Sequence, residues 1–412
     1  MQLKILSYIK FPAILACRSV NHVFNELITG YPDVGVVGVR HRPTYTNGVS
    51  LWKMKKTTNF RNRKLMHFTD RTIPSFFFYQ LMRKVKYLPS IFWPWLKFTK
   101  VEKLVLDARE VSSEKPNILS YFLPQSSTKK LTLTNLQDDQ KIHTLFRCFA
   151  STKLKNIDLG GSQMEAQRIA NLLWYLQVAG IQKLSLENAS LSPKCIKLLG
   201  GGLRACSSLK KLNLGKNYLT HKGIKKLGIC LPDYLEELGL SDNLLGLKGI
   251  RYIGEWIPTT KIRRLDLSGN SIGMIGMKYI ARWLPQTKIQ YLNLSYNGIR
   301  DPAAIIFASR CRTNNLEILD LSHNGITFQG FLTLFTYFST TKLRVLYLNH
   351  NSFNFTMHLQ EAVVNLPPTN LRRIALKNTL PDFAGCFLTD YKMATELKYL
   401  LRKKFPQVKW EF

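Results

Sequence analysis

Acidic residues are scarce in this sequence. Its 412 residues include 26 Asp and Glu against 59 Lys and Arg, which gives a formal net charge of +33. This excess implies attraction to acidic proteins, nucleic acid or anionic lipid, and it does not choose among the three.

Cysteine spacing of the kind that holds a metal is also missing. The seven cysteines are odd in number and scattered: Cys17, Cys148, Cys195, Cys206, Cys230, Cys311 and Cys386. Because no CxxC pair occurs, the sequence offers no zinc-ribbon or RING spacing and no redox dithiol. We expect reduced thiols in a cytoplasmic or nuclear protein, with no metal and no cofactor.

Long hydrophobic runs are absent too. No stretch approaches the roughly 18–20 apolar residues that are needed to cross a bilayer. The apolar start of the chain is interrupted by Lys10 and Pro12 and is too short for a secretory signal. We therefore expect no membrane span.

What the sequence contains is a repeated phrase. LKKLNLGKNYL at 209–219 recurs as LEELGLSDNLL, IRRLDLSGNSI, IQYLNLSYNGI, LEILDLSHNGI and LRVLYLNHNSF, with degenerate copies on both sides. The eleven copies begin at residues 101, 128, 154, 181, 209, 235, 262, 289, 316, 343 and 371, so they lie 26 to 28 residues apart. A period in this range is typical of a solenoid of stacked repeats.

The phrase LxxLxLxxN predicts a short strand followed by a turn. In one copy Leu265 and Leu267 point inwards while Asp266 faces out, because successive side chains of a strand alternate. The asparagines at the end of the phrase form a column that we expect to be half-buried and bonded to the backbone of adjoining repeats. They are Asn217, Asn243, Asn270, Asn297, Asn324 and Asn351.

The second half of each repeat has the apolar spacing of a helix. In 274–285 we expect the buried face to carry Ile275, Tyr279, Ile280, Trp283 and Leu284. The predicted fold is therefore α/β: a solenoid of about eleven strand-turn-helix repeats with a parallel sheet on its concave face, preceded by a small helical segment.

The repeats resemble the ribonuclease-inhibitor class of leucine-rich repeats, including the phrase Leu-Pro-x-Thr-Lys at 284–288. The resemblance covers roughly 101–380 and implies the fold, whereas this scaffold hosts many unrelated functions. Ran GTPase-activating proteins share the class and present an arginine after an early strand. Arg109 in LDAREV has that position, but the acidic tail typical of those proteins is missing here.

The first thirty residues have the spacing of short amphipathic helices, with Val20, Val23, Phe24, Leu27 and Ile28 on one face. The segment LSYIKFPAILACRSVNHVFNELITGYPDV resembles an F-box. That resemblance implies docking on the Skp-type linker of a cullin ubiquitin ligase. The linker-binding candidates are Ile9, Ile14, Leu15, Val20, Phe24 and Leu27.

This copy departs from the F-box pattern at its start, since the usual Leu-Pro is missing. Either the first helix is trimmed or the true start lies upstream. The alternative is that 1–30 is an amphipathic cap on the solenoid.

Residues 51–100 combine twelve Lys and Arg and twelve aromatic residues with one acidic residue, Asp70. Basic and aromatic residues interleaved in this way can bind single-stranded nucleic acid. The favoured interpretation is an aromatic cap on the first repeat with a solvated lysine face, because no RRM or KH signature accompanies them.

The outward positions of the strands give the candidate binding surface. Its first half is rich in lysine and its second half carries apolar and aromatic residues, as protein-interface hot spots do. The candidates are Lys103, Lys130, Lys183, Lys211, Tyr291, Tyr296, Ile318, Val345 and Tyr347.

The spacing of the acidic residues and histidines does not predict a catalytic or metal-binding site. Asp158, Asp266 and Asp320 lie in separate repeats and are not paired as acid and base, and no P-loop or nucleophile elbow occurs. His323 and His350 fall one repeat apart, without further ligands at fixed spacing. We predict a binding protein and not an enzyme.

These observations predict four regions: an F-box-like segment at 1–30, a basic aromatic linker and cap at 31–100, the solenoid at 101–380 and a C-terminal cap at 381–412. The predicted function is substrate recognition for a cullin-type ubiquitin ligase by a monomer that binds a Skp-type linker and an acidic substrate protein. The rival is a repeat scaffold without a ligase role; weak nucleic-acid binding ranks third.

Overall fold

A computed structural model describes residues 45–46, 49–50, 102–107, 120–121, 123–136, 139–191, 193–310, 314–353, 359–379 and 388–412. The F-box-like segment, the basic aromatic region 51–100 and Arg109 lie outside the described residues. Near the start of the chain β1 (Tyr45–Thr46) pairs antiparallel with β2 (Val49–Ser50).

The described residues fall into two compact units. One comprises the chain through Thr132 together with Gln140–Leu154, and the other comprises Leu133–Asp139 together with Lys155–Phe412. The first unit contains β3 (Lys103–Asp107) and 3₁₀ turns at Leu123–Gln125 and Phe149–Ser151. The chain passes between the units within β4 (Lys130–Thr134), within α1 (Asp139–Cys148) and between Leu154 and Lys155.

The second unit alternates strands and helices. Its strands are β5 (Asn156–Asp158), β6 (Lys183–Ser185), β7 (Lys211–Asn213), β8 (Glu237–Gly239), β9 (Arg264–Asp266), β10 (Tyr291–Asn293), β11 (Ile318–Asp320), β12 (Val345–Tyr347), β13 (Arg373–Ala375) and β14 (Lys409–Glu411). Its helices are α2 (Ala166–Ala179), α3 (Pro193–Leu203), α4 (Thr220–Gly228), α5 (Gly246–Trp256), α6 (Gly273–Trp283), α7 (Arg300–Arg310), α8 (Phe328–Phe338), α9 (Leu359–Val364) and α10 (Leu388–Lys404).

Strands β5 to β14 lie side by side in chain order, and each is parallel to the next. Equivalent residues pair, as Leu265 does with Leu292 and Leu319. Each of the eleven predicted repeats contains a strand at its leucine phrase, and the predicted leucine-rich-repeat solenoid is confirmed. The last strand, β14, was not predicted.

The asparagine column is buried more deeply than the expected half-burial, because its amides find all their partners in the backbone. Asn270 Oδ1 accepts hydrogen bonds from the backbone N–H groups of Asn243 and Leu245, at 3.0 and 3.4 Å, in the preceding repeat. Its Nδ2 donates to Leu240 O in that repeat at 2.8 Å and to Leu267 O in its own at 3.0 Å. In the repeat that begins at 371, Thr379 takes the same place and donates to Leu348 O.

The buried face of one helix, α6, agrees only in part with the prediction. In α6 the buried residues are Gly276, Met277, Ile280, Ala281 and Trp283, and Leu284 is buried just after the helix. Ile275 is exposed and Tyr279 is half-buried. The prediction for Ile275 was wrong because the helix begins at Gly273, which turns position 275 away from the neighbouring repeats.

Aromatic packing closes the C-terminal part of the second unit. Phe328, Phe331 and Phe335 are buried in α8, and Phe335 lies 4.9 Å from the ring of Phe405, just after α10. The chain then forms β14 along β13. Among the described residues no helix has the length and apolar content to cross a bilayer.

The described cysteines are thiols and not disulfides, as expected. Burial raises the pKa of Cys148 to about 12 and that of Cys206 to about 11, so both are protonated at neutral pH.

Candidate interaction surface on the open sheet face

The face of the sheet that the helices leave uncovered, called here the open face, carries the third and fifth residues of each repeat. In β5 to β13 the middle residue of each strand is buried beneath the helices, and the residues on either side of it, except Ala375, are wholly or partly accessible. Strand register places the candidates Tyr291, Ile318 and Val345 next to one another. Lys183 and Lys211 are neighbours in the same way.

The lysine-rich part of the open face is partly neutralised. Lys211 forms an ion pair with Glu237, and Arg264 Nε lies 3.6 Å from the same carboxylate. Lys216, which lies in the turn after β7, forms an ion pair with Glu187, and its Nζ is 2.8 Å from Glu187 Oε1. Lys183 is exposed, and in the first unit Lys103 is exposed while Lys130 is half-buried.

Apolar and aromatic residues follow in the next three repeats. Tyr291, Ile318, Val345 and Tyr347 are half-buried, so each presents part of its side chain to solvent while its base packs on its neighbours. We call these four residues the central patch. They lie on strands whose backbone is fixed by two neighbours, which makes the patch a rigid surface.

Two arginines flank the central patch. The guanidinium of Arg264 lies 4.1 Å from the ring centroid of Tyr291, and that of Arg373 lies 5.5 Å from the ring centroid of Tyr347. Arg373 is held there by Glu411 of β14, at 2.8 Å. A hydrogen bond from Arg373 is the main cause that holds the pKa of Glu411 below its usual range.

Burial, with smaller effects from the carboxylates of Asp266 and Asp320, raises the pKa of Tyr291 to about 12. The phenol therefore stays protonated across the physiological range. It can donate a hydrogen bond to a partner that covers the central patch.

A stack of three rings stands beside the central patch, after the strands. Tyr296 and His323 have ring centroids 3.9 Å apart, and His323 and His350 have theirs 4.1 Å apart, with the rings nearly parallel. The Tyr296 hydroxyl and His323 Nε2 are joined by a hydrogen bond of 2.8 Å. Tyr296 is 59% exposed, the most accessible of the aromatic candidates.

The part of the chain that is described contains no group of three or more His, Cys, Asp or Glu placed to hold a metal ion. Burial, and then the proximity of His350, lowers the pKa of His323. This lowering favours the neutral form of His323.

A shallow cleft of about 460 Å³ lies along the ring stack, where the polar residues of several turns meet. It is lined by Asp320, Ser322, Asn349, Lys377, Asn378 and Phe412 besides the stacked rings and Ser295. Sequence reasoning did not place Lys377 or Phe412 here, because both reach the cleft through the register of the last two strands.

The two flanking arginines are not among the binding candidates predicted from the sequence. The signal that would have found them is their position, since Arg264 and Arg373 stand in the third column directly before and after the apolar stretch. Arginine beside tyrosine in adjacent strands favours stacking.

Comparison with known proteins identifies the repeats. A family model described as Leucine Rich repeat matches residues 205–228, 260–281, 286–308 and 313–330. A Rho GTPase-activating protein, gacW of Dictyostelium discoideum, is 33% identical over 132 residues. The match spans 29% of this chain and 12% of that protein, so this chain corresponds to a small part of its relative.

Several solved structures align with the fold. The leucine-rich repeat-containing protein LegL7 of Legionella pneumophila is 17% identical, with a TM-score of 0.48, over 72% of this chain and 98% of that one. The TLR13–ssRNA13 complex aligns at 19% identity and a TM-score of 0.44, over 69% of this chain and 37% of that one. The yeast Rad7–Elc1 complex aligns at 16% identity and a TM-score of 0.43, over 73% and 82%. The segments matched by the family model are leucine-rich repeats, and the chain carries a leucine-rich-repeat solenoid.

Proposed function

We propose that the chain is a binding protein without catalytic activity whose open sheet face holds a protein partner at the central patch. One observation carries the proposal: Tyr291, Ile318, Val345 and Tyr347 form a rigid apolar surface between two stacked arginines. Rigid aromatic anchors beside guanidinium groups are the composition of interface hot spots.

The chemistry of the partner follows from the surroundings of the patch. Arg264 and Arg373 bracket the apolar centre, and Lys183 is a further exposed cation on the open face. A partner that inserts an apolar side chain between the arginines and surrounds it with carboxylates fits both features. We therefore propose an acidic protein.

The test compares captured proteins between variants of the full chain. Ile318→Ser with Tyr347→Ser removes the centre of the patch. Val364→Ser with Tyr399→Ser is the matched control, since both residues are exposed and lie on helices. We expect the patch variant to bind its captured partner at least roughly thirtyfold more weakly, as hot-spot losses do, and the control to bind unchanged. Equal losses in both variants would contradict the proposal.

The finer proposal is that this module selects substrates for a cullin-type ubiquitin ligase. It rests on the F-box resemblance of residues 1–30 and on the candidates Ile9, Ile14, Leu15, Val20, Phe24 and Leu27. In this arrangement the N-terminal segment holds the Skp-type linker and the central patch holds the substrate, in the cytoplasm or nucleus.

Co-expression with a Skp-type linker tests the adaptor role. Ile14→Asp with Leu15→Asp places two charges on the proposed docking face, whereas Asn21→Asp with Asn25→Asp places the same charges on the polar face. We expect the linker to co-purify with the wild type and the control and to be lost from the docking variant, with the melting temperature of the solenoid unchanged. If the docking variant has a lower melting temperature and no linker co-purifies with any sample, the segment is a cap.

A further inference from the structure

Two bulky side chains stand on a turn where the backbone favours glycine. The tenth residue of successive repeats adopts a left-handed conformation, with φ of 53° at Ser271, 61° at Gly298 and 65° at Gly325. At the same position Tyr218 has φ of 51° and Leu244 has φ of 53°. Side chains of this size rarely adopt that conformation.

Neither side chain is packed against the core. Tyr218 is 71% exposed and Leu244 is 56% exposed. Neighbouring repeats fold with serine or glycine at this place, so the fold does not require a large residue there. Strain in an exposed residue that contributes nothing to the core is a reason to look for a role outside folding.

More exposed apolar residues adjoin these two. Leu247 lies in the first turn of α5, and Met274 and Ile275 lie in the first turn of α6. The turns themselves are fastened side by side, because Thr220 N donates to Asn243 O and Gly246 N donates to Asn270 O, both at 3.1 Å. We call the set the apolar ridge; its members are Tyr218, Leu244, Leu247, Met274 and Ile275.

A row of cations runs along four consecutive helices, α3 to α6, and the last two of these also carry residues of the apolar ridge. The seventeenth residue of four consecutive repeats is basic and exposed: Lys197, Lys225, Arg251 and Lys278. Leu247 and Arg251 are four residues apart in α5, and Met274 and Lys278 are four apart in α6, so each pair shares one helix face. Across α4, α5 and α6 the sequence has one acidic residue, Glu255, and it lies near the end of α5.

We propose that the apolar ridge and the cationic row together dock on an anionic lipid bilayer. Apolar side chains on protruding turns can enter the boundary between headgroups and acyl chains, while lysine and arginine one helical turn behind them meet the phosphates. Nucleic acid would be attracted by the cations and would gain nothing from leucine, isoleucine and methionine. The ridge is formed by residues that protrude from turns, which suits a planar bilayer.

This surface is separate from the open sheet face, because the ridge begins on the turns after the strands and continues on the helices. Docking through it therefore leaves the central patch accessible to a partner. The net charge of +33 adds a general attraction of the protein to anionic membranes.

Sedimentation of the full chain with vesicles tests the proposal. We expect binding to vesicles of equimolar phosphatidylserine and phosphatidylcholine, and none to vesicles of phosphatidylcholine alone. Leu244→Ser with Leu247→Ser and Met274→Ser should weaken binding at least roughly tenfold through the loss of buried apolar area. Lys225→Gln with Arg251→Gln and Lys278→Gln should weaken it roughly a hundredfold.

The matched control is Trp174→Ser with Val178→Ser, which removes two exposed apolar residues of α2 that lie outside the ridge. It should bind as the wild type does, and all variants should keep the wild-type melting temperature because every changed side chain is exposed. Residues 51–100 are present in every variant, so any contribution they make is constant. The proposal is overturned if the wild type does not bind the anionic vesicles, or if the ridge variant binds as well as the control.

Discussion

The asparagine column shows how a single amide can hold two repeats together. Asn270 is fully buried, and its side chain both accepts and donates hydrogen bonds across the boundary between repeats. The sequence predicts the column and its partners, because a polar residue at a fixed place in an apolar phrase must be satisfied by nearby backbone. It does not predict the depth of burial, which depends on how closely the turns stack.

Asn270→Ala should destabilise the protein by about 3 kcal/mol or more, because two buried backbone N–H groups lose their acceptor and three carbonyls lose a donor. Thermal or urea unfolding measures the change. Ser271→Ala, at the exposed neighbouring position, should have little effect. Similar losses in the two variants would show that the ladder contributes little.

The ring stack makes a second prediction at this scale. Burial is the main cause of the lowered pKa of His323, and the charge of His350 is the next. His350→Asn should therefore raise the pKa of His323 without restoring it fully, which a titration of the imidazole proton shifts by NMR would record. An unchanged or lowered pKa would contradict the stacked geometry.

At the scale of elements, the repeated leucine phrase predicts strands β3 to β13 but does not predict β14. The eleven strands follow from alternating leucines, whereas the segment around Lys409–Glu411 lacks that pattern and becomes a strand by pairing with β13. The same limit explains the helix face of α6, where the position of the first turn decided the exposure of Ile275.

The last strand is also fastened by charge, which gives a pH dependence. The hydrogen bond from Arg373 is the main cause that lowers the pKa of Glu411, so its stabilisation is complete above the ordinary carboxyl pKa and is lost as the pH falls through the lowered value. Glu411→Gln should melt at a lower temperature than the wild type at neutral pH. The two melting curves should converge in acid, and a constant difference across the whole range would contradict this assignment.

For the whole molecule, charge and fold have to be considered together. The sequence predicts the solenoid and the apolar stretch of the open face, but the arginines that bracket this stretch became apparent only when register placed Arg264 beside Tyr291. Net charge alone could not separate an acidic protein, nucleic acid and lipid as partners. The distribution of cations among apolar residues is what distinguishes them.

A salt titration separates nucleic acid from the other partners. We expect the full chain to bind a single-stranded oligonucleotide weakly and to release it near physiological salt, because binding by scattered lysines depends on the release of counterions. Fluorescence anisotropy at increasing salt concentration measures this. Tight binding that persists in high salt would place nucleic acid first among the partners.

The asparagine ladder also has a direction. Each Oδ1 serves two N–H groups of the preceding repeat, as Asn297 does for Asn270 and Ile272, whereas each Nδ2 keeps an acceptor within its own repeat. If the array ended after a given repeat, two buried backbone N–H groups of that repeat would lose their acceptor, the asparagine of the next repeat. If the array began at a given repeat, the asparagine of that repeat would still donate a hydrogen bond within its own repeat. The loss or gain of a repeat therefore costs less stability at the N-terminal end of the array. The opposite end needs a dedicated closure. There Thr379 O accepts a hydrogen bond from Phe353 N at 3.3 Å, and β14 pairs with β13.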